Sequence, residues 1–409
     1  MAVDLGVSRP ETGYRRGTPG FRRICLAMFS AGLATFTTLY CVQALLPALA
    51  TEFRLTPAAA SLAVSVGTGA LAVGIIPLTA LSEALGRTRV MTVSLFTSSV
   101  LGVLAAASPN FTVLLVARGL QGLALAGLQA VAMSYLAEEL HCGSLGAAMG
   151  LFIAGNGIGG MSGRLLGAFL GEAAGWRWVL AVIGLFALAC SVLFRLAVPA
   201  SRYFRPRPLR LRALAGAIGH ACTDTGLPLL FAVGILGTST LVTVYNYLGF
   251  RLLRAPFDLP GTVVGLIFVI YLAGSFSSTV AGRLADRFGR QRLVWPAAVV
   301  MLLGIVLLWP DQLAVLVVGL VVLTSGFFAL HALASGWVSA RSAALGVQGS
   351  DVYLCAFYLG SSVGGSVGGL AFGAGGWTGV TWYIGAFTLV IIGLGLVLRR
   401  LAPVIRRVG

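Results

Sequence analysis

Twelve runs of about 20 mainly apolar residues constrain everything else this chain can fold into. They lie near 24–48, 57–79, 90–108, 112–136, 146–170, 178–198, 227–249, 261–282, 293–309, 313–337, 350–372 and 378–398. A run of this length spans the hydrocarbon core as a helix, and in lipid the backbone must satisfy its own hydrogen bonds. The alternating apolar and polar residues of membrane barrel strands are absent. The expected fold is therefore an all-α polytopic membrane protein with twelve transmembrane helices. Composition points the same way: 58% of the 409 residues are hydrophobic and 10% are charged, against about 25% charged in a soluble domain. That excludes an ordinary soluble protein, and disorder needs the opposite balance.

The net charge is +16, and none of the 28 basic residues is lysine. With the N-terminus placed in the cytoplasm, the inside segments hold Arg9, Arg15, Arg16, Arg22, Arg23, Arg87 and Arg89 in the first part of the chain. The linker, the later loops and the C-terminal tail add most of the rest. The outside segments hold Arg54, Arg177, Arg251 and Arg254. A bias of about five to one predicts that both termini are cytoplasmic. The positive charge is thus a matter of topology, not of a nucleic-acid surface, which needs one basic face interleaved with aromatics. Residues 1–20 lack the apolar core of a cleaved signal peptide, so the first span is expected to act as an uncleaved anchor. The six cysteines have no metal or redox spacing and mostly fall in or beside spans.

The longest polar interruption, 199–226, divides the spans six and six. Three features recur across it in one frame. Glu83-Ala-Leu-Gly86-Arg87-Thr-Arg89 matches Asp286-Arg-Phe-Gly289-Arg290-Gln-Arg292, each following the second span of its half. Gly155-Asn-Gly-Ile-Gly159-Gly160 matches Gly360-Ser-Ser-Val-Gly364-Gly365, and Gly175-Trp176 matches Gly376-Trp377. Such recurrence predicts a duplication. The expected units are an N-terminal tail (1–23), a six-helix bundle (24–198), a linker (199–226), a second six-helix bundle (227–398) and a C-terminal tail (399–409).

These motifs resemble the major facilitator superfamily over essentially the whole chain. Gly282-Arg-Leu-Ala-Asp286-Arg287-Phe-Gly289-Arg290-Gln-Arg292 is similar to a complete copy of its loop signature. The first copy departs from it, with Thr79 in place of Gly, Glu83 of Asp and Ala84 of Arg. Tyr40-Cys-Val-Gln-Ala-Leu-Leu-Pro47, Gly159-Gly-Met-Ser-Gly-Arg164 and Phe357-Tyr-Leu-Gly-Ser-Ser-Val-Gly364 resemble its YnfM-like branch of arabinose-efflux-type permeases. The resemblance implies two pseudo-symmetric six-helix bundles, the major facilitator fold. It also implies a monomer in the bacterial inner membrane that moves a small molecule, with protons as coupling ion and no cofactor or metal.

The resemblance further implies that Glu83 caps span eleven near Ser350 and Asp351, and that Asp286 caps span five near Gly143 and Ser144. A carboxylate at a helix N-terminus is favourable by roughly 0.3–1 kcal/mol. Arg87 would pair with Glu138 or Glu139, whereas Arg290 has no carboxylate waiting at the end of span ten. Arg287, Gly86 and Gly289 complete the loop motif. Arg118, in Arg118-Gly-Leu-Gln-Gly122, resembles the family's proton-coupling arginine, and Arg164 is a second arginine at membrane depth. An intramembrane arginine costs about 2.5–3.5 kcal/mol on insertion scales, so it faces a cavity or a partner unless it snorkels to the interface. The antiporter signature of the superfamily has proline where Asn156 stands, so span five is expected to be less kinked. Its glycines are expected to pack helices.

His331 is the histidine at membrane depth, where no span carries a deep Asp or Glu. It is either a titrating proton carrier or a neutral hydrogen-bonding group. Spans one, four, seven and ten line the cavity in this family. Their candidate cavity residues are Tyr40, Gln43, Gln121, Tyr245, Asn246 and Ser335, with Asn156, Tyr271 and Tyr358 from neighbouring spans. Each aromatic could equally serve helix packing. A mostly apolar pocket with few polar groups fits lipophilic or amphipathic solutes. The missing deep carboxylate argues against strongly cationic ones, and two arginines tolerate an anion.

The sequence therefore predicts a secondary transporter working by alternating access, with proton-coupled efflux first. Proton-coupled uptake and facilitated diffusion follow. An intramembrane enzyme is the rival class, since Gly160-Met-Ser162-Gly163 matches a rhomboid-like Gly-x-Ser-Gly and His331 is available. The two fall in opposite halves and towards opposite faces, so they lack the reach a Ser–His pair needs. A non-transporting receptor is the other rival. No phosphate-binding glycine loop is present to support ATP-driven transport.

Overall fold

The computed structural model describes residues 13–204, 206 and 211–401. Arg9, Arg205, Arg207, Arg210, Arg406 and Arg407, with the outer parts of both expected tails, lie outside the described residues. The first six helices are α1 (Pro19–Glu52), α2 (Pro57–Leu85), α3 (Arg87–Ala106), α4 (Phe111–Glu139), α5 (Cys142–Ala174) and α6 (Trp176–Ala197). Then come α7 (Leu211–Thr223), α8 (Leu227–Leu252), α9 (Gly261–Leu266), α10 (Tyr271–Phe288), α11 (Arg290–Leu307), α12 (Leu313–Leu345), α13 (Gly349–Leu359) and α14 (Gly365–Arg399). A 3-10 turn, Ile267–Ile270, joins α9 to α10, and a π-helical turn, Gly360–Gly364, joins α13 to α14. Eleven helical segments among the described residues are long and apolar enough to cross a membrane. The last, Gly349–Arg399, breaks at Gly375 and Gly376, so twelve crossings result.

Local chemistry explains where these helices begin and turn. Thr18, Thr56 and Asn110 accept from Phe21, Ala59 and Val113 amides, and proline opens α1 and α2; both devices satisfy or remove the orphan donors of a first turn. The helices run past the expected spans because these caps stand in the polar flanks. Gly86 and Gly289 have φ of 99° and 83°, and Gly175 has 84°. A tight reversal with positive φ needs glycine, which accounts for two of the three repeated motifs.

Within each half, glycines bring backbones together. Gly155, Gly159, Gly163 and Gly167 of α5 face the carbonyls of Phe29, Leu33, Thr37 and Cys41 of α1, so that an added Cβ would come within 3.0 Å. Gly360 and Gly364 meet Ile235 and Ser239 of α8, and Gly368 meets Thr243, in the same four-residue rhythm. Thr37 donates to the Gly159 carbonyl at 3.1 Å, and Thr243 donates to that of Gly364 at 3.1 Å. The helix α5 runs unbroken for 33 residues with no internal proline.

Helices α1–α6 pack chiefly among themselves, as do α8–α14. Between the groups, α2 runs along α13 and α14, α1 touches α8, and α5 packs on α9. The face bearing the α2–α3 and α4–α5 turns is called here the basic face. At the opposite face α5 and α9 are closed: Glu172 accepts from the Thr262 amide at 2.5 Å, and Gly265 lies against Ala168. Towards the basic face α5 and α10 part, and open space surrounds Gly146, Gly150 and Gly282. Between α5 and α10 the seam of the halves is thus looser towards the basic face, whereas α2 stays against α13 there.

Candidate functional site

Arg164 is only 3% exposed, against the segment that follows α9. Its Nε donates to Gln43 Oε1 at 2.6 Å and its Nη1 to the Gly160 carbonyl at 2.7 Å. Gln43 passes the chain on, donating to Asn246 Oδ1 at 2.7 Å, so α5, α1 and α8 are linked across the two halves. The guanidinium lies over the rings of Tyr40 at 4.4 Å, Tyr271 at 4.6 Å and Phe268 at 5.5 Å. Tyr245 stacks on Phe268 and donates to or accepts from Thr324 at 2.9 Å. The 3-10 turn matters here, because residues three apart eclipse in such a turn. It presents Phe268 and Tyr271 side by side to Arg164.

No carboxylate pairs with Arg164 among the described residues. Cation–π contacts worth about 0.5–2 kcal/mol each and two hydrogen bonds offset its burial. Nη2 has no acceptor among the described residues, and the buried Nδ2 of Asn246 is also without a partner. The arrangement offers donors and a fixed positive charge inside an aromatic cage. It can hold an anion or a strong acceptor with an apolar body.

Of the expected cavity residues, Tyr40, Gln43, Tyr245, Asn246 and Tyr271 converge on Arg164, and Tyr358 adjoins through Tyr40. Three others stand elsewhere. Gln121 donates to the Ser98 carbonyl at 2.9 Å and accepts from Arg118, wholly inside the first group of helices. Asn156 faces Gly32 of α1. Ser335 donates back to the His331 carbonyl at 2.6 Å. Residues at one depth but on different faces of their helices meet different neighbours, which a reading by depth alone does not separate. Phe268 escaped that reading because nothing polar marks it and the 3-10 turn has no sequence signature.

Arg118 does not snorkel. It is 1% exposed, with Nε to the Ala63 carbonyl at 3.2 Å, Nη1 to Thr38 at 3.0 Å and Nη2 to Leu39 at 2.6 Å. It clamps α1, α2 and α4 through backbone carbonyls and does not reach the cage. His331 shares a hydrogen bond of 3.1 Å with the Tyr353 hydroxyl through Nδ1 and lies 4.7 Å from the Phe357 ring.

At the basic face the loop motifs divide. Arg87 bonds Glu138 Oε1 through Nε at 3.2 Å and Nη2 at 3.0 Å, and Ser82 through Nη1. Glu139 instead accepts from Ser201 at 2.6 Å and the Arg202 amide at 2.8 Å. Glu83 makes no cap on α13; with Arg87 it is an electrostatic neighbour of Asp351. The expected Asp286 cap on α5 is absent too. Asp286 is exposed, and the start of α5 is served by His141 and the tail: Gly143 donates to His141 Nδ1 at 3.2 Å, and the Arg16 amide donates to Ser144 at 2.8 Å. Parting of α5 from α10 leaves Asp286 out of reach. Arg287 lies over Phe288, and Arg290 lies over Gly336. The second half uses a pair the sequence did not reveal. Arg341 donates to Asp224 Oδ1 at 2.5 Å and Oδ2 at 2.9 Å, while Asp224 also accepts from the Gly226 and Leu227 amides that open α8.

The model of the Major Facilitator Superfamily matches residues 25–257, more than half of the chain. The chain belongs to the major facilitator superfamily. Within the superfamily it is 42% identical to the inner membrane transport protein YnfM of Escherichia coli (strain K12), covering 96% of this chain and 94% of that protein. It is also 42% identical to the uncharacterized MFS-type transporter YybF of Bacillus subtilis (strain 168), over 95% and 96%. Among solved structures, a bacterial homologue of the human lysosomal transporter Spinster, inward-facing and unoccupied, superposes with a TM-score of 0.76 at 14% identity, over 94% and 98%. Like its relatives, this superfamily member is a multi-pass membrane transporter of small solutes and not an enzyme.

Proposed function

We propose that this protein exports a small organic anion with an apolar body across the bacterial inner membrane by alternating access, in exchange for protons. The basic face is read as cytoplasmic, following the arginine bias, and the looser seam of α5 with α10 on that side is read as the way in for cargo. The observation that carries the reading is Arg164: a buried guanidinium without a carboxylate, caged by Tyr40, Phe268 and Tyr271 where the two halves meet. Outward movement of a monovalent anion is also favoured by an inside-negative potential, by about 2.3 kcal/mol per 100 mV. His331, bonded to Tyr353, is the group assigned to the proton. Inhibition of transport by amphipathic anions in proteoliposomes tests the cargo class. Arg164→Gln should lower transport at least tenfold without altering fold, and His331→Gln should flatten its pH dependence. Full transport of anions by Arg164→Gln would refute the cargo assignment, and an unchanged pH profile would refute the proton assignment.

A further inference from the structure

Beyond Arg164, at the closed face, a cavity of about 40 Å³ is lined by Gln43, Tyr245, Phe268, Pro47, Gly249 and Leu253, among others. Past it lies a pocket of about 430 Å³ that shares Pro47 and Leu253 with the first. The two spaces therefore meet at a partition where Pro47 of α1 sits on Gly249 of α8; an added Cβ there would stand 3.2 Å from Pro47 Cγ. The outer pocket has an apolar floor that includes Ala50, Leu55 and Phe250, and its lining contains two charges, Arg54 and Arg254, with no carboxylate.

The acidic groups of this face are committed elsewhere. Glu52 pairs with Arg177, Asp311 with Arg251, and Glu172 accepts from Thr262. Asp258, four residues past Arg254, does not line the pocket. Neither Arg54 nor Arg254 makes an ion pair among the described residues. Arg54 holds a left-handed backbone, with φ of 53°, because it closes α1: its amide reaches the Thr51 carbonyl and the Leu55 amide that of Ala50, which fixes where its side chain leaves the helix end.

We propose that this pocket is a second anion site, facing away from the basic face, in which Arg54 and Arg254 hold the charged group of an amphipathic anion over the apolar floor. Its place on the export route rests on the reading of Arg164 as the cargo site; anion binding in the pocket does not. The shared chemistry, a monoanionic head on an apolar body, describes a soluble organic anion and an anionic lipid alike.

Calorimetric titration of the purified full-length protein with 2-naphthalenesulfonate is expected to resolve two sites. Arg54→Gln with Arg254→Gln should weaken one of them about tenfold or more, as charge-assisted bonds do, and leave the one that Arg164→Gln removes. If the pair of substitutions leaves number and affinity unchanged, the outer site does not exist. If Arg164→Gln changes nothing while the pair removes all binding, the cargo reading fails and the outer site stands. Neutral 2-naphthalenemethanol keeps the test sharp should the glutamine variants not fold: on wild-type protein it should lack the outer site, and equal binding overturns the proposal. In nanodiscs, displacement of the probe by phosphatidylglycerol identifies a lipid headgroup as occupant, and its persistence identifies a soluble anion.

Discussion

Two buried arginines, both at membrane depth, do different work. Arg118 spends its donors on the carbonyls of Ala63, Thr38 and Leu39, whereas Arg164 keeps one terminal nitrogen without an acceptor among the described residues. Hydrogen bonds to charged groups contribute about 1.5–3 kcal/mol each. Arg118→Gln should therefore destabilise the protein by about 2–4 kcal/mol, read as a fall in detergent melting temperature, with anion binding retained in the fraction that folds. Arg164→Gln, which removes two such bonds against four at Arg118, should lower the melting temperature less and lose the ligand. Equal melting temperatures for the two variants would contradict this division. Both residues were legible from their position in apolar runs, yet their roles were not, since each role depends on which neighbour a helix rotation presents. Glu83 and Asp286 were legible as motif carboxylates. The capping contacts expected of them are absent among the described residues.

At the scale of helices, Asp224 and Arg341 fasten the start of α8 to the end of α12. Both side chains are largely buried, at 12% and 7% exposed. Burial pushes the Asp224 carboxyl upward, but the Arg341 guanidinium and the two amides outweigh it and hold it below the usual carboxylate range. A carboxyl lowered by folding stabilises fully above its unfolded value of about 3.9, and the stability is lost as pH falls through the folded value. Asp224→Asn should cost about 3 kcal/mol at pH 7, and the gap from wild type should narrow on acidification below about pH 4, seen by thermal melts across that range. The pair was invisible in sequence because its members are 117 residues apart and match no motif. The turns at Gly86 and Gly289 were visible because a backbone constraint leaves a mark on the residue type itself. The glycine rungs of α5 fall in the same class: Gly163→Ala places a methyl against the Thr37 carbonyl and should cost about 1–3 kcal/mol in the same melting assay.

For the whole molecule, α5 of one half meets α10 of the other near Gly157 and Ser275, where an added Cβ on Gly157 would lie 3.8 Å from the Ser275 hydroxyl. Cysteines placed at 157 and 275 in a background without native cysteines should form a disulfide that stops transport, with activity returning on reduction. Failure to crosslink, or crosslinking without effect, would mean that this contact does not take part in the cycle. The glycine ladders add a limit on how the cycle can proceed. Their rungs repeat every four residues, about 6 Å along a helix, and each rung seats a bare backbone against a carbonyl. Partial sliding of α5 along α1 would drive side chains into those seats, so the allowed registers are separated by whole steps. The same seating holds α14 on α8, so within each half the ladders resist sliding of one helix along the next.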